Sequence, residues 1–468
     1  MRPILSPRYL SEETSSRADF ETGSFRKELK EERKSRSREK RAKRSLADCF
    51  GDGGWVVTCG LEIHAQLNTR RKLFSGPLFF LSLPTPASLC RKLMEEEKEG
   101  MIDAKTSSSA PNTNIAPFDA ALPGTQPTFN PAALLPALRA SLALNCAPAA
   151  SSSFDRKHYF YWDQPAGYQI TQFYSPLARD GHITLFKSDG VNVPESGARV
   201  EIKQVQMEQD TGKTLASAGV SLIDLNRVGT PLVEIITHPF DVPDTGFAAA
   251  VMRKIQATLR AVDACVVGME WGGLRADVNV SVRRSGMDGL GRRCEIKNLS
   301  SLKVVEDAIT AEARRQIRIL EDGGAVEGET RGWDAESGET RRLRGKEGEV
   351  DYRYMPDPDL PPVVLGEGLV ERIRDTLPPL PDEILAGLVG PPFGLSVKDA
   401  KTLMAWDEGR TSSDELAVIG FYKDIVKRVE ALSGDCEKQR KGKEVGKIVG
   451  NWYPPPSTSD RTRPTKLW

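Results

Sequence analysis

Four segments of the chain alternate apolar residues with polar residues that can bind a cation or a phosphate. Because successive side chains of a strand point to opposite faces, each polar set would share one face of a sheet. Short carboxylates recur among them, and these repel one another unless a cation lies between them. The polar sets are Glu62, His64 and Gln66; Gln206, Glu208 and Asp210; Arg275, Asp277, Asn279 and Ser281; and Arg293, Glu295 and Lys297.

The chemistry that these residue types support is magnesium binding beside phosphate. Mg²⁺ prefers oxygen ligands, which the carboxylates of Glu62, Glu208 and Asp277 would supply. Magnesium with arginine and lysine beside it is suited to nucleotide phosphates. His64 is either a direct metal ligand or a hydrogen-bonding partner. An antiparallel sheet with one solvated side is the alternative explanation for each of these strands.

Other motifs for nucleotide, zinc or hydrolytic chemistry are incomplete. Gly212, Lys213 and Thr214 resemble the end of a phosphate-binding loop, but Met207 stands where the first glycine belongs. The seven cysteines never form a Cys-x-x-Cys pair, which argues against a cysteine zinc site and a disulfide framework. The four histidines lie outside any recognisable nucleophile motif, so hydrolase chemistry has little support.

Strands and two helices must position these side chains. Short strand-like segments fill residues 157–300 and continue to about Val364, which favours a largely antiparallel sheet and an α+β fold. Asn130 followed by Pro131 predicts a helix that ends near residue 144. A second helix, capped by Ser301, is predicted from an apolar stripe of Val305, Ile309, Ala313, Ile317 and Leu320.

Length and charge bound the domain organisation. At 468 residues the chain has room for about three domains. Lys plus Arg total 65 and Asp plus Glu total 65, so net charge selects neither a nucleic acid nor a membrane as partner. No apolar run is long enough to predict a membrane span. We predict a charged extension or targeting segment at 1–50, a catalytic domain at 55–365, a helical domain at 366–453 and a polar tail at 454–468.

The motifs of the chain resemble those of one family, in the same order. Residues 60–69 read GLEIHAQLNT, which is similar to the opening motif of the B subunits of aspartyl/glutamyl-tRNA amidotransferases. The resemblance covers residues 55–365 with few gaps and continues more weakly to Asn451. Its further motifs are RKHYFY (156–161), GYQI (167–170), MEQDTGK (207–213), DLNR (224–227), PLVEI (231–235), RADVNVSV (275–282), EIKNL (295–299), ETR (329–331) and DYRYMPDPDL (351–360).

This resemblance implies a tRNA-dependent amidotransferase that works in a multi-subunit complex. An amidase, the A subunit of that complex, would hydrolyse glutamine to ammonia, while this chain would use ATP to phosphorylate the side-chain carboxylate of glutamate misacylated onto glutamine tRNA. Ammonia would then displace phosphate and give glutaminyl-tRNA. Mg²⁺ and a small stabilising third subunit complete the expected assembly. The implied fold is a mainly antiparallel cradle domain followed by a helical domain.

The resemblance also implies roles for the residues that match the family motifs. The expected metal ligands are Glu62, His64 and Glu208, and these three together with Asp277 are the expected catalytic residues. Binding of the nucleotide is expected from Asp210, Asn226, Arg275, Asn279 and Lys297. Contacts to phosphate or to the single-stranded, acylated 3′ end of tRNA are expected from Arg227, Asn298 and Arg353. Structural ion pairing is the alternative role for each arginine.

Three departures from the family pattern change these expectations. The usual Cys-x-x-Cys is replaced by APFD at residues 116–119, so no zinc is expected. The usual histidine and second glutamate of the acidic motif are Gln206 and Gln209, which removes one carboxylate from the cluster. The chain ends soon after Trp452, where many members continue into a tail domain that engages the tRNA body. Contacts to that body would be weak or supplied by a partner.

Two other functions are consistent with the sequence. Gln206 and Gln209 motivate a tRNA-binding scaffold subunit that has lost its kinase chemistry; the second option is a stand-alone metal-dependent carboxylate-amine ligase.

The basic residues between 26 and 44, together with the resemblance, predict a mitochondrial protein. Acidic residues such as Glu12 and Glu13 are unusual in a transit peptide, so a cytoplasmic location is the alternative.

Overall fold

The computed structural model describes residues 54–75, 110–217, 220–265, 268–269, 272–345, 352–407 and 417–432. The predicted extension at 1–50 and tail at 454–468 therefore lie outside the described residues, as do positions 433–453 of the predicted helical domain. The α-helices of the described part are α1 (Leu134–Ala143), α2 (Phe247–Ala261), α3 (Leu302–Glu321), α4 (Leu369–Asp375), α5 (Pro381–Val389), α6 (Val397–Asp407) and α7 (Ala417–Leu432).

Strands fill most of the chain between the first two helices and again after α3. Short 3₁₀ turns lie at Pro131–Ala133, Lys187–Asp189 and Leu225–Arg227. The strands are β1 (Trp55–Gln66), β2 (Ala147–Pro148), β3 (Ser151–Ser152), β4 (Asp155–His158), β5 (Tyr168–Thr171), β6 (Ala178–Leu185), β7 (Ala198–Gln209), β8 (Lys213–Ser217), β9 (Val220–Asp224), β10 (Pro231–Thr237), β11 (Phe240–Asp241), β12 (Leu274–Arg284), β13 (Cys294–Leu299), β14 (Glu329–Asp334), β15 (Glu339–Gly345), β16 (Met355–Pro356) and β17 (Val363–Val364).

One large sheet of 13 strands organises the described residues. Its main path runs β15-β14-β13-β12-β1-β10-β7-β5-β4-β16, with β11 paired to β1 and β6 paired to both β2 and β7. The strand pairs are antiparallel except β13 and β14, which are parallel and are connected through α3. The prediction of an α+β fold with a mainly antiparallel sheet is confirmed.

The strand β1 lies in the middle of this sheet, between β12 and β10. Its apolar positions, from Val57 to Leu67, are almost completely buried in the main hydrophobic core, as the alternation predicts. Helices α2 and α3 contribute buried side chains to the same core, including Ile255, Leu259 and Ile309. Each fully buried side chain of this size stabilises the fold by about 1.5–3 kcal/mol. The opposite face of the sheet is left to polar residues.

The two predicted helices are confirmed, and one further helix was missed. The Asn130 side chain accepts a hydrogen bond from the backbone of Ala132, as its predicted capping role requires, and Ser301 caps α3 in the same way. The expectation that strands fill residues 157–300 is wrong at α2. There, Phe247, Val251 and Ile255 recur at a spacing of four residues, which places them on one side of a helix.

Residues beyond α4 form a second, smaller hydrophobic cluster. The main core extends to Ile373 in α4, whereas Leu388, Leu403 and Tyr422 pack in a separate cluster built from α5, α6 and α7. An ion pair of 2.7 Å between Lys254 of α2 and Asp382 of α5 connects the two parts. Among the helices of the described residues, none has the length and apolar character needed to cross a membrane.

Candidate active site

The polar face of the sheet brings together residues from neighbouring strands. In the registers of β1, His64 lies opposite Glu234 of β10 on one side and Arg275 of β12 on the other. Glu62 lies opposite Asp277 of β12. Residues directly opposite in antiparallel strands project to the same face, so these side chains lie next to one another. The sheet therefore assembles a cluster from segments that are far apart in sequence.

A candidate cation site lies at the centre of this face. Single ligand atoms of Glu62, His64 and Glu234 all lie within 4.8 Å of one another. His64 Nε2 is 3.7 Å from Oε1 of Glu62 and 3.8 Å from Oε1 of Glu208. The three predicted metal ligands are therefore neighbours, and Glu234 joins them. Sequence reasoning placed Glu234 in a motif but did not assign it to the site.

The carboxyl of Glu234 is buried and crowded by other carboxylates. Burial, followed by the negative charges of Glu62 and Glu208, raises the pKa of the Glu234 carboxyl well above its ordinary value. The side-chain amide of Gln206 donates a hydrogen bond of 2.6 Å to Glu234 Oε2. Crowding of carboxylates in a buried position is unfavourable until a positive charge joins them. A divalent cation would supply that charge.

One carboxylate oxygen of Glu208 accepts a hydrogen bond, and the other has no hydrogen-bond partner among the described residues. Gln169 Nε2 donates 2.8 Å hydrogen bonds to Glu208 Oε1 and to the backbone carbonyl of Gln209. The second oxygen of Glu208, Oε2, is buried and has no hydrogen-bond partner among the described residues. A buried carboxylate oxygen without a partner is costly and is expected where an ion or water binds. The carboxylate oxygens of this set suit a Mg²⁺ ion, whereas the imidazole of His64 is a more typical ligand of transition metals.

Lys157 of β4 supplies positive charge to the same face and was missed by sequence reasoning. Burial alone would lower the pKa of its ammonium group, but the charges of Glu208, Tyr354 and Glu234 outweigh burial and raise that pKa. The lysine therefore stays charged beside the carboxylates. Its Nζ also lies 5.0 Å from the centre of the Tyr352 ring. Only the strand order shows this proximity, since β4 follows β10, β7 and β5 in the sheet, and β7 and β10 carry Glu208 and Glu234.

Asp277 and Lys297 form the other side of the cluster. Lys297 Nζ lies 2.7 Å from Asp277 Oδ2 and 3.1 Å from Glu295 Oε1. Asn279 is the next polar residue along β12, opposite Gly60 of β1. The predicted residues Asp277, Asn279 and Lys297 thus line one stretch of the face. Arg293 does not line this stretch, because it precedes the first residue of β13 and is exposed.

Asp210 is held between two of the predicted arginines just after the end of β7. Arg275 donates a hydrogen bond of 2.8 Å to Asp210 Oδ1, and Arg227 Nε lies 3.4 Å from Asp210 Oδ2. Arg227 also donates to the backbone carbonyls of Thr211 and Gly212, at 2.9 and 2.7 Å. Both arginines are thus fixed by ion pairing, the alternative that sequence reasoning left open, and both remain beside the carboxylate cluster.

The remaining predicted residues are Asn226, Arg353 and Asn298. Asn226 is buried, and its side chain binds the backbone at Ala110 and Asn114, so it holds the chain segment that precedes α1. Arg353 is exposed and adopts a left-handed backbone conformation with φ of 44°. The side chain of Asn298 lies outside what the structure describes.

The part of the chain that carries this site matches a known protein family. A family profile described as the GatB/GatE catalytic domain matches residues 57–371. The chain belongs to this family. The match covers the strands that carry Glu62, His64, Glu208, Glu234 and Lys157. The family resemblance seen in the sequence motifs is therefore confirmed.

Curated relatives of the family extend the likeness over nearly the whole chain. A protein of Neurospora crassa named as the mitochondrial B subunit of glutamyl-tRNA(Gln) amidotransferase is 50% identical over 464 residues, covering 97% of this chain and 66% of the relative. Proteins of the same name from Talaromyces marneffei and Pyricularia oryzae are each 51% identical and cover 92% of this chain, and 68% and 64% of the relatives. The chain thus spans about two thirds of the length of the curated relatives it matches.

Proposed function

We propose that this chain is the ATP-dependent subunit of a mitochondrial glutamyl-tRNA(Gln) amidotransferase. Its substrate would be glutamate misacylated onto glutamine tRNA, and its reaction would phosphorylate the side-chain carboxylate of that glutamate. Ammonia from a partner amidase, the A subunit of the complex, would then displace phosphate and give glutaminyl-tRNA. The names of the relatives support both the reaction and the mitochondrial location.

The observation that carries the proposal is the convergence of Glu62, His64, Glu234 and Glu208 on one face of the sheet. A magnesium ion held by Glu62, His64 and Glu234, with the unpartnered oxygen of Glu208 nearby, would offset negative charge on nucleotide phosphates. The raised pKa of Glu234 and the unpartnered oxygen of Glu208 both support a cation at this position.

The neighbouring cations are suited to holding the transferring phosphoryl group. Lys157 stays charged beside Glu208, while Lys297 and Arg275 reach the same face from the other side. Charge developing in the transition state is stabilised best by groups that are fixed beforehand. The ion pairs with Asp277 and Asp210 fix Lys297 and Arg275 in this way. Arg227 and the exposed Arg353 are proposed to contact the tRNA end.

Assembly with other proteins is part of the proposal. The relatives are named as B subunits, which supports a heteromeric complex. We propose that the complex contains the amidase and a small stabilising protein, and that no zinc takes part because residues 116–119 lack the paired cysteines of other members. A cytoplasmic location is the alternative to the mitochondrial matrix.

A tRNA-binding scaffold without chemistry is the second candidate, and Gln206 and Gln209 are the residues that favour it. Against it, Gln206 donates to Glu234 and so supports the carboxylate cluster. The backbone carbonyl of Gln209 accepts from Gln169, which also holds Glu208. The side chain of Gln206 therefore takes part in positioning the acids, whereas Gln209 contributes only its backbone carbonyl.

The test is glutamine-dependent amidation by the assembled complex. Purified complex is incubated with labelled ATP, magnesium and glutamyl-tRNA(Gln), and both ADP and glutaminyl-tRNA are measured. Glu208→Gln should lower turnover at least about a hundredfold. The matched control is Glu201→Gln, an exposed glutamate on the same strand that pairs with Arg199 and should leave turnover unchanged. Full turnover in Glu208→Gln would contradict the site; tRNA binding without any ADP in the wild type would favour the scaffold.

A further inference from the structure

A buried ion pair lies behind the turn that carries Arg227. Lys72 Nζ is 2.7 Å from Asp119 Oδ2, the side chain of Asp119 is fully buried, and that of Lys72 is largely buried. The same oxygen of Asp119 accepts a hydrogen bond of 2.9 Å from the backbone N–H of Ala116. Removal of one partner of a buried pair leaves the other charge uncompensated, so the pair ties together the two segments that carry it.

The first connection from this pair to Arg227 runs through Lys72. Its Nζ also donates a hydrogen bond of 2.8 Å to the backbone carbonyl of Asn114. The backbone N–H of Asn114 in turn donates a bond of 2.7 Å to Oδ1 of Asn226, the residue before Arg227. A chain of hydrogen bonds therefore leads from the buried ion pair to the residue next to the arginine.

The second connection runs through Gly229, which has a positive φ of 80°. Asp119 Oδ1 and Ser75 Oγ lie 2.9 and 3.4 Å from the position that a Cβ atom of Gly229 would take. The N–H of Gly229 donates to the carbonyl of Asp210 at 2.9 Å, and its own carbonyl accepts from the N–H of Leu73 at 2.7 Å. Asp119 thus packs directly against the residue that holds the backbone of Asp210.

The turn at residues 227–230 and the end of β7 form one unit around Arg227. The N–H of Thr230 donates to the carbonyl of Arg227 at 3.0 Å, and the N–H of Asp210 donates to the carbonyl of Thr230 at 2.9 Å. Two of the five N–H groups of the guanidinium bind backbone carbonyls just after β7. The side chain is nevertheless 38% exposed. Arg227 is therefore held by its surroundings and accessible to a ligand.

We propose that Asp119 is a positioning residue for Arg227. Acting through Lys72 and Gly229, its carboxylate holds the turn so that the guanidinium meets the acylated 3′ end of tRNA. This inference rests on the proposed function, in which Arg227 contacts that end. A group that is fixed in its bound geometry before the substrate arrives loses less conformational entropy on binding. Asp119 is buried and contacts no substrate, so its effect on binding passes through Arg227.

The experiment measures the Kd of the assembled complex for glutamyl-tRNA(Gln) and the kinetics of amidation. The variants are Asp119→Asn and Lys72→Met, each alone and combined with Arg227→Met. Asp119→Asn keeps the shape of the side chain and removes its charge. The matched control is Asp334→Asn, which removes the charge of an acid of β14 that pairs with Arg341 near the β15 edge of the sheet.

Asp119→Asn and Lys72→Met should each raise the Kd for glutamyl-tRNA(Gln) about tenfold, while kcat changes less than about threefold. Because the effect passes through Arg227, adding either change to Arg227→Met should alter the Kd less than about twofold. A merely structural role predicts a different result, in which the losses add to that of Arg227→Met. Asp334→Asn should bind and react like the wild type.

The inference is overturned if the folded variants bind glutamyl-tRNA(Gln) as tightly as the wild type, or if they weaken binding by the same factor with and without Arg227. The two variants remove the ion pair from opposite partners, so either one is sufficient if the other fails to fold. Failure of the proposed function has a different signature, because the wild-type complex would then bind tRNA without forming glutaminyl-tRNA. The Kd values decide the inference in that case as well.

Discussion

The side-chain amide of Gln206 donates a 2.6 Å hydrogen bond to Oε2 of Glu234, and both residues are buried. Gln206 stands where the family usually has a histidine, a substitution that the sequence alone suggested would weaken the site. The structure gives this glutamine a positioning role instead. Its amide also reaches the hydroxyl of Thr171 at 3.1 Å, so it connects β7 to both neighbouring strands.

The contact predicts that Gln206→Leu will weaken metal binding while the complex still assembles. Loss of a hydrogen bond that orients a metal ligand typically costs about 10–100-fold in affinity. Binding of Mn²⁺, followed by electron paramagnetic resonance, measures the change. Gln256→Leu on α2 is the control, because α2 packs on the apolar side of the sheet, away from the polar face. Equal Mn²⁺ affinity in the wild type and Gln206→Leu would show that the hydrogen bond from Gln206 to Glu234 does not contribute to metal binding.

Replacing Lys157 with methionine should separate catalysis from metal binding. The ammonium group balances the charges of Glu208 and Glu234, so its removal leaves the site more negative and should not weaken Mg²⁺ binding. Turnover should nevertheless fall by about a hundredfold, because a fixed positive charge is lost beside the transferring phosphoryl group. Steady-state kinetics at several magnesium concentrations distinguish the two effects. Lys187→Met, which removes an exposed lysine paired with Glu195, should behave like the wild type.

Glu312 should stabilise the fold in a pH-dependent way. Burial would raise the pKa of its carboxyl, but hydrogen bonds from Arg315, Gln316 and Thr340 outweigh burial and lower it. A carboxyl with a lowered pKa in the folded state stabilises the protein at neutral pH. That contribution is lost as the pH falls below about 4 and through the folded-state pKa. We expect Glu312→Gln to lower the free energy of unfolding by about 2 kcal/mol at pH 7.

Urea unfolding of the wild type and Glu312→Gln at pH 7 and near pH 3 measures this effect. The difference between the two proteins should shrink at the lower pH, because the carboxyl of Glu312 is protonated in the unfolded chain there and its contribution to stability declines. Glu336→Gln is the control, since Glu336 is exposed in the turn between β14 and β15. A difference that stayed constant between the two pH values would mean that packing, rather than charge, is the source of the stability.

Two glycines should respond to alanine in opposite directions. A Cβ atom at Gly181 in β6 would lie 2.2 Å from Cys146 Sγ and 2.7 Å from the carbonyl oxygen of Leu144, so β6 would have to move away from the segment between α1 and β2. We expect Gly181→Ala to lower the free energy of unfolding by about 2 kcal/mol. A methyl group added at Gly387 in α5 would have no atom within 4 Å, and there alanine should stabilise by about 0.5–1 kcal/mol. Thermal unfolding of both variants provides the comparison, and destabilisation by Gly387→Ala would contradict it.

The sequence predicts the strands that have one polar and one apolar face. It does not predict which strands are neighbours, so the contacts between residues of neighbouring strands were missed. The alternation around Glu62 and His64 predicts a strand with one polar face because each apolar partner is fully buried. Glu234 lies in a strand that reads PLVEIIT, where apolar residues occupy both faces and hide its direction. Lys157 reaches the carboxylates only because of the strand order β4-β5-β7-β10, which no local pattern contains.

The parallel pair shows the same limit, whereas helix α2 does not. Phe247, Val251 and Ile255 recur on one side of α2, and Arg253 and Lys254 lie off this stripe, so the pattern of the sequence was sufficient to predict the helix. The parallel pairing of β13 with β14 depends on α3 returning the chain across the sheet. Tertiary packing, and not the local preference of these residues, decides that pairing.

The central position of β1 has a consequence for the order in which this protein folds. Its main hydrogen-bonding partners are residues 231–237 of β10 and 274–284 of β12, far later in the chain. A strand with a fully apolar face must therefore wait for both partners while the strands from β2 to β9 and the helix α2 are synthesised. Long-range pairing of this kind is slow, and apolar surface that stays exposed until the strands pair favours aggregation. The acids of the cluster thus come together only after β12 has been synthesised.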